Sequence, residues 1–284
     1  MSGNPDREHL EQSITEGLQK ILDRHGYGFH YAVIGVAATL YNKGSSSWSF
    51  QAAEFPVEVR GCSTRIDFVL WLRSENLYLV AECKRANPAL SNWCFVAAPY
   101  VRRKHTPGQI LVERVSVDKE GELSAGATTL SSSSEMYHIG LEVKSSERGD
   151  PCGQGRGAIE DAATQVCRGL NGMVEFLALN SQILERDRPA WIVPVIFTTA
   201  KIWTSGVDLQ KADLETGRID LKGADVKQKR WVWYRYHQSP GIKHTVRLDK
   251  MYHEIGEILD QRYARATAVV SAAGIEDFLT REWW

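Results

Sequence analysis

No apolar run in this 284-residue chain is long enough to cross a bilayer. The longest, Tyr31 to Leu40, has about ten residues where a membrane helix needs about 20, so no membrane partner is expected. Met1 to Gln12 is polar and acidic and lacks an apolar secretory core. The five cysteines are odd in number and form no Cys-x-x-Cys pair, and the eight histidines show no zinc-like spacing with them. A disulfide framework and a structural zinc are thereby set aside, and a reduced, cytoplasmic protein is the expectation. The net charge of −1 leaves no globally basic coat, although a local basic groove stays open.

What is present is an ordinary globular composition, 43% apolar and 24% charged. The length suits one large domain, or one domain with elaborations.

The informative feature is a hairpin that carries acids. Ile66-Asp67-Phe68-Val69-Leu70-Trp71-Leu72 and Leu77-Tyr78-Leu79-Val80-Ala81-Glu82 are β-rich runs joined by Arg73-Ser74-Glu75-Asn76. A symmetric turn places Asp67 opposite Glu82, with Cβ atoms roughly 4.5–5.5 Å apart. Lys84, two residues beyond Glu82, points the same way. Two facing carboxylates on an apolar hairpin repel, and a divalent cation such as Mg²⁺ between them would relieve this. A salt-bridge cluster neutralised by Lys84 is the other reading. Everything depends on register, since a slip of one residue sends the acids to opposite faces. Among four acid-x-Lys triplets, Glu82-Cys83-Lys84 is the one at the end of a strand whose partner brings an acid opposite; Glu142-Val143-Lys144 is its rival.

On Asp67, Glu82 and Lys84 the chain resembles the PD-(D/E)XK nuclease superfamily, the restriction-endonuclease-like fold. The resemblance implies an α/β fold with an αβββαβ core and a mixed central sheet over residues 1–200. A β-rich insertion at 86–155 and a C-terminal extension at 201–284, packed on the core, would complete the chain. It implies a Mg²⁺-dependent endonuclease, with Mn²⁺ as a substitute, acting on DNA in bacterial or phage defence. RNA as substrate, or a non-catalytic nucleic-acid-binding subunit, remain as alternatives. A homo-oligomer or a regulatory partner is expected of the class. Asp67, Glu82 and the Cys83 carbonyl would hold the metal, and Lys84 would orient the attacking water. Gln165 matches a glutamine that many members carry on the following helix; where they often have Tyr four residues later, this chain has Gly169. Glu11 matches an acid that some members carry on the first helix. Glu142 and Lys144 also precede the long helix directly, where the superfamily often places its Glu-x-Lys.

Sequence periodicity predicts helices over 6–24, 87–97, 158–184 and 249–266. It predicts strands over Trp48–Arg60, Ile110–Val117, Glu122–Thr129, Met136–Lys144, Ala190–Ile202 and 229–237. Pro56 and Pro194 suggest edges or bulges. Arg230, Trp233 and Arg235, in a strand that interleaves bases with aromatics, are candidates for nucleic-acid contact. Arg102-Arg103-Lys104-His105 is a weaker one, and Trp283-Trp284 is expected to pack against a groove.

Overall fold

The computed structural model describes residues 5–98, 108–132, 134–144, 157–238 and 262–282. Two helices, α1 (Pro5–His25) and α2 (Tyr27–Asn42), precede an antiparallel meander of β1 (Trp48–Val59), β2 (Cys62–Leu72) and β3 (Leu77–Lys84). Then come β4 (Asn92–Val96), β5 (Gln109–Val117), β6 (Leu123–Ser131), β7 (Met136–Tyr137) and β8 (Ile139–Val143). The long helix α3 (Ala158–Leu179) leads to β9 (Ala190–Thr198), β10 (Lys201–Ser205), β11 (Val226–Lys229), β12 (Trp231–His237), β13 (Ala264–Ser271) and the short α4 (Ile275–Thr280).

The architecture is α/β, with a mixed nine-stranded sheet among the described residues, ordered β1-β2-β3-β9-β13-β12-β7, and β5 and β6 joined beside β9. β3 and β9 run parallel over their whole length, from Leu77↔Trp191 to Lys84↔Thr198. A second sheet has the order β11-β10-β4-β8.

Apolar alternation buries both faces of the large sheet. On one face α3 lays Ala163, Val166, Leu170 and Leu177 against Val57, Ile66, Val80 and Ile196. On the other, α2 and α4 bring Val33, Ala37 and Phe278 to Phe68, Leu79 and Phe197. The close approach of α3 depends on missing side chains. A Cβ on Gly169 would stand 2.9 Å from Ile66 Cγ1 and 3.2 Å from Val80 Cγ1, and one on Gly172 would stand 2.4 Å from Val57 Cγ2. Gly169 therefore lets the helix ride directly over the strands that carry Asp67 and Glu82.

Several expectations change. The helix expected at 87–97 is a single turn at Pro88–Leu90, capped by Asn87, followed by the strand β4. Residues 264–266, expected to end a helix, begin β13, a fully buried strand between β9 and β12. The C-terminal region thus completes the main sheet instead of resting on it, and the 86–155 segment contributes strands to both sheets. Pro56 lies on β1, which ends the order of the sheet, as an edge proline should. Pro194, by contrast, is buried inside. It falls between the stretch of β9 that pairs with β5 (Ala190–Ile192) and the stretch that pairs with β13 (Val195–Thr198), where a missing N–H breaks no ladder bond. The helix over α1 forms as expected, but its stripe is not covered: Ile14, Leu18 and Ile21 are more than half exposed. The arginine cluster at 102–105, Trp283-Trp284 and most of the 249–266 segment lie outside the described residues.

Candidate active site

Backbone register brings the acids together. β2 and β3 pair from Leu72↔Leu77 to Phe68↔Ala81, the register expected of the symmetric turn, and the pairing stops one step before Asp67 and Glu82. There Asp67 Oδ2 accepts a hydrogen bond from Cys83 N at 2.6 Å, so a carboxylate takes up a main-chain donor where the strands part. On the other side of β2, a bulge between Phe50 and Ala52 advances the β1 register by one residue. Without it Glu54 would stand level with Ile66. With it Glu54, flanked by the pairs Ala53↔Phe68 and Phe55↔Ile66, stands level with Asp67. Glu54 also has a φ of 48°, a left-handed conformation few non-glycine residues adopt. Three carboxylates, Glu54, Asp67 and Glu82, consequently form a row across β1, β2 and β3.

Two helices complete the row. On α2, His30 shares the buried face with Val33 and Ala37. Its ring stacks 4.9 Å from that of Tyr31 and 5.7 Å from that of Phe68. His30 Nδ1 lies 3.4 Å from Glu54 Oε1, and ligand atoms of His30, Glu54 and Asp67 all lie within 4.8 Å of one another. On β3, Lys84 Nζ is 3.8 Å from Glu82 Oε1 and donates a hydrogen bond to Gln165 Oε1 on α3 at 2.6 Å.

So many acids in so little water shift their own titration. Burial and then the charge of Asp67 push the Glu82 carboxyl up to about 8, against the opposing pull of Lys84. Asp67 is also raised, mainly by burial, against the pull of the Cys83 N–H and of His30. The Cys83 thiol is pushed up by burial and by the two acids beside it, so its sulfur is an inert group here. The donor set, buried oxygens short of positive charge plus one imidazole, fits a divalent cation.

Asp67, Glu82, Lys84 and Gln165 therefore converge, with the main chain of Cys83 between them. Other candidates do not. Glu142 lies on β8 in the second sheet, level with Trp93 on β4, where the ladder brings no acid opposite it; Lys144 follows the end of that strand. Glu11 is exposed on α1, away from the row; the close group of ligand atoms is His30, Glu54 and Asp67, with Glu82 beside it and paired to Lys84. The surface reading of β12 does not hold: Trp233 is 1% and Arg235 7% exposed, because both faces of this strand are covered, while exposed Arg230 pairs with Asp277. Sequence reasoning missed His30 and Glu54. The readable signals were a histidine at helical spacing from Val33 and Ala37, and a lone acid inside Ala52-Ala53-Glu54-Phe55.

Comparison of the chain with family models, with curated proteins and with solved structures finds no match.

Proposed function

We propose that this chain is a metal-dependent nuclease that hydrolyses phosphodiester bonds, most simply a DNA endonuclease, on a restriction-endonuclease-like core. The observation that carries this reading is the convergence of Asp67, Glu82 and Lys84 at the point where β2 and β3 part, with Gln165 bound to Lys84 Nζ at 2.6 Å. The element order supports it once β4 to β8 are taken as an insertion: helices, three-strand meander, the helix α3, then a strand parallel to the third.

Asp67 and Glu82 would hold Mg²⁺ or Mn²⁺, which supplies a water of lowered pKa and charge to offset that of the phosphate. The residues of the chain do the rest. Lys84, 26% exposed on its side chain, reaches the site from the face of α3 and orients a water for in-line attack. Its ammonium also offsets the charge that builds on the phosphate oxygens. Gln165 is a positioning residue, because its carbonyl oxygen holds the ammonium in place beside Glu82. Exposed Arg65, beside Glu54, suits a phosphate of a strand lying across the acids.

The test is cleavage of supercoiled plasmid and of structured RNA with Mg²⁺, with Mn²⁺ and with EDTA. Cation-dependent cleavage of plasmid is expected, and cleavage of RNA alone would assign the ribonuclease reading. Lys84→Ala should lower the rate at least ~100-fold with little change in melting temperature. Unchanged cleavage by this variant would overturn the assignment of Lys84.

A further inference from the structure

We infer that the cation seat takes a nitrogen ligand: His30, Glu54 and Asp67 together hold one first-row transition dication, which the site prefers to Mg²⁺. The inference rests on reading these acids as a metal centre, and adds two ligands and a selectivity.

Spacing comes first. Adjacent ligands of an octahedral ion, each at about 2.1–2.2 Å, stand about 3.0 Å apart, and opposite ones about 4.3 Å. His30 Nδ1 and Glu54 Oε1, at 3.4 Å, are close to an adjacent pair already. The limit of 4.8 Å on the whole trio exceeds the spacing of an opposite pair by about half an ångström, so side-chain rotations suffice to close the three on an ion. The three ligands come from α2, β1 and β2, and each is held by something else. Stacking on Phe68 orients the imidazole, the bulge and the left-handed φ aim Glu54, and the Cys83 N–H anchors Asp67.

A second observation concerns the histidine alone. His30 is 4% exposed, and its Nε2 is buried with no hydrogen-bond partner. Whichever tautomer it adopts, Nε2 is left unsatisfied, and the polar group that the ring meets is Glu54, through Nδ1. What the ring offers is the Nδ1 lone pair on the side of the acids. Arg65 Nη1, 3.7 Å from Glu54 Oε2, sits on a 71% exposed side chain and is too well solvated to neutralise the trio.

The selectivity follows from ligand type. Mg²⁺ keeps to oxygen and gives up its waters reluctantly, whereas imidazole suits transition ions. Mn²⁺ binds most weakly of the first-row series, so any preference it shows over Mg²⁺ is the least the site would display.

The experiment titrates Mn²⁺ into the full chain and records pulsed electron paramagnetic resonance of the bound ion. A ¹⁴N modulation is expected, replaced by a ¹⁵N one when histidine alone is labelled, a readout that needs neither activity nor a variant. His30→Gln should lose it and weaken Mn²⁺ binding at least ~10-fold, and should shrink the preference over Mg²⁺. Glu54→Gln should weaken binding with the modulation kept, and Lys84→Ala should keep both. Bound Mn²⁺ without nitrogen coupling, unmoved by His30→Gln, overturns this inference and leaves the acids as an oxygen-only metal centre. No Mn²⁺ bound by the wild type overturns both.

Discussion

Glu82 makes the fold work against itself at high pH when no cation is present. Its carboxyl, at about 8 in the folded chain against an ordinary 4.5, holds a proton that the unfolded chain has released. Between those two values the native state binds more protons, so stability falls as pH rises through the window and is fully lost to this group above about 8. The gap caps the effect at about 5 kcal/mol, at 1.36 kcal/mol per unit. Water reaching a side chain that is 13% exposed, and coupling to Asp67 and Lys84, bring the expectation nearer ~2 kcal/mol. In a chain of this size, with an unfolding entropy of about 0.6 kcal/mol/K, that is a shift of roughly 3–4 °C in melting temperature. The assay is thermal unfolding in EDTA at pH 5.5 and 8.5, for the wild type and for Glu82→Gln, so that other titrating groups cancel in the difference. The wild type should lose more between the two pH values than the variant, and Mn²⁺ should stabilise it more at pH 8.5 than at 5.5, because cation and proton compete for the same oxygens. Parallel pH profiles for the two proteins would refute the reasoning.

Elsewhere the core makes its own predictions. Arg265 and Glu113, 1% and 3% exposed, form a buried pair between β13 and β5. Glu113→Gln leaves the guanidinium uncompensated and should cost about 3–5 kcal/mol in urea unfolding. Gly172→Ala drives a methyl to 2.4 Å from Val57 Cγ2 and should destabilise by about 1–3 kcal/mol, because a β-branched strand residue cannot swing aside. Gly35→Ala on α2, which meets nothing within 4 Å, should instead gain up to ~1 kcal/mol of helix propensity.

The hairpin could be read from the letters because two continuous apolar runs flank a short polar turn, and a symmetric turn fixes their register; Asp67, Glu82 and Lys84 came with it. Glu54 could not, since its place beside Asp67 depends on an extra residue near Gln51, and a bulge has no signature in an apolar strand. His30 was hidden for a related reason: Tyr31 to Leu40 is apolar nearly throughout, so α2 shows little amphipathic contrast. Ala264-Arg265-Ala266 carries helix propensity, but Thr267, Val269 and Val270 suit a strand, and the place of β13 between β9 and β12 decides for the strand. The Trp/Tyr strand was legible as a strand, but not its burial, because aromatics suit a stacking surface and a core equally well.

Anomalous diffraction at the manganese edge from crystals of the protein soaked in Mn²⁺ tests the central claim most directly. The account predicts a single strong peak bounded by the carboxylates of Glu54 and Asp67 and the ring of His30, within about 2.0–2.3 Å of an Asp67 oxygen. No peak there, with the three side chains still gathered as described, would contradict it.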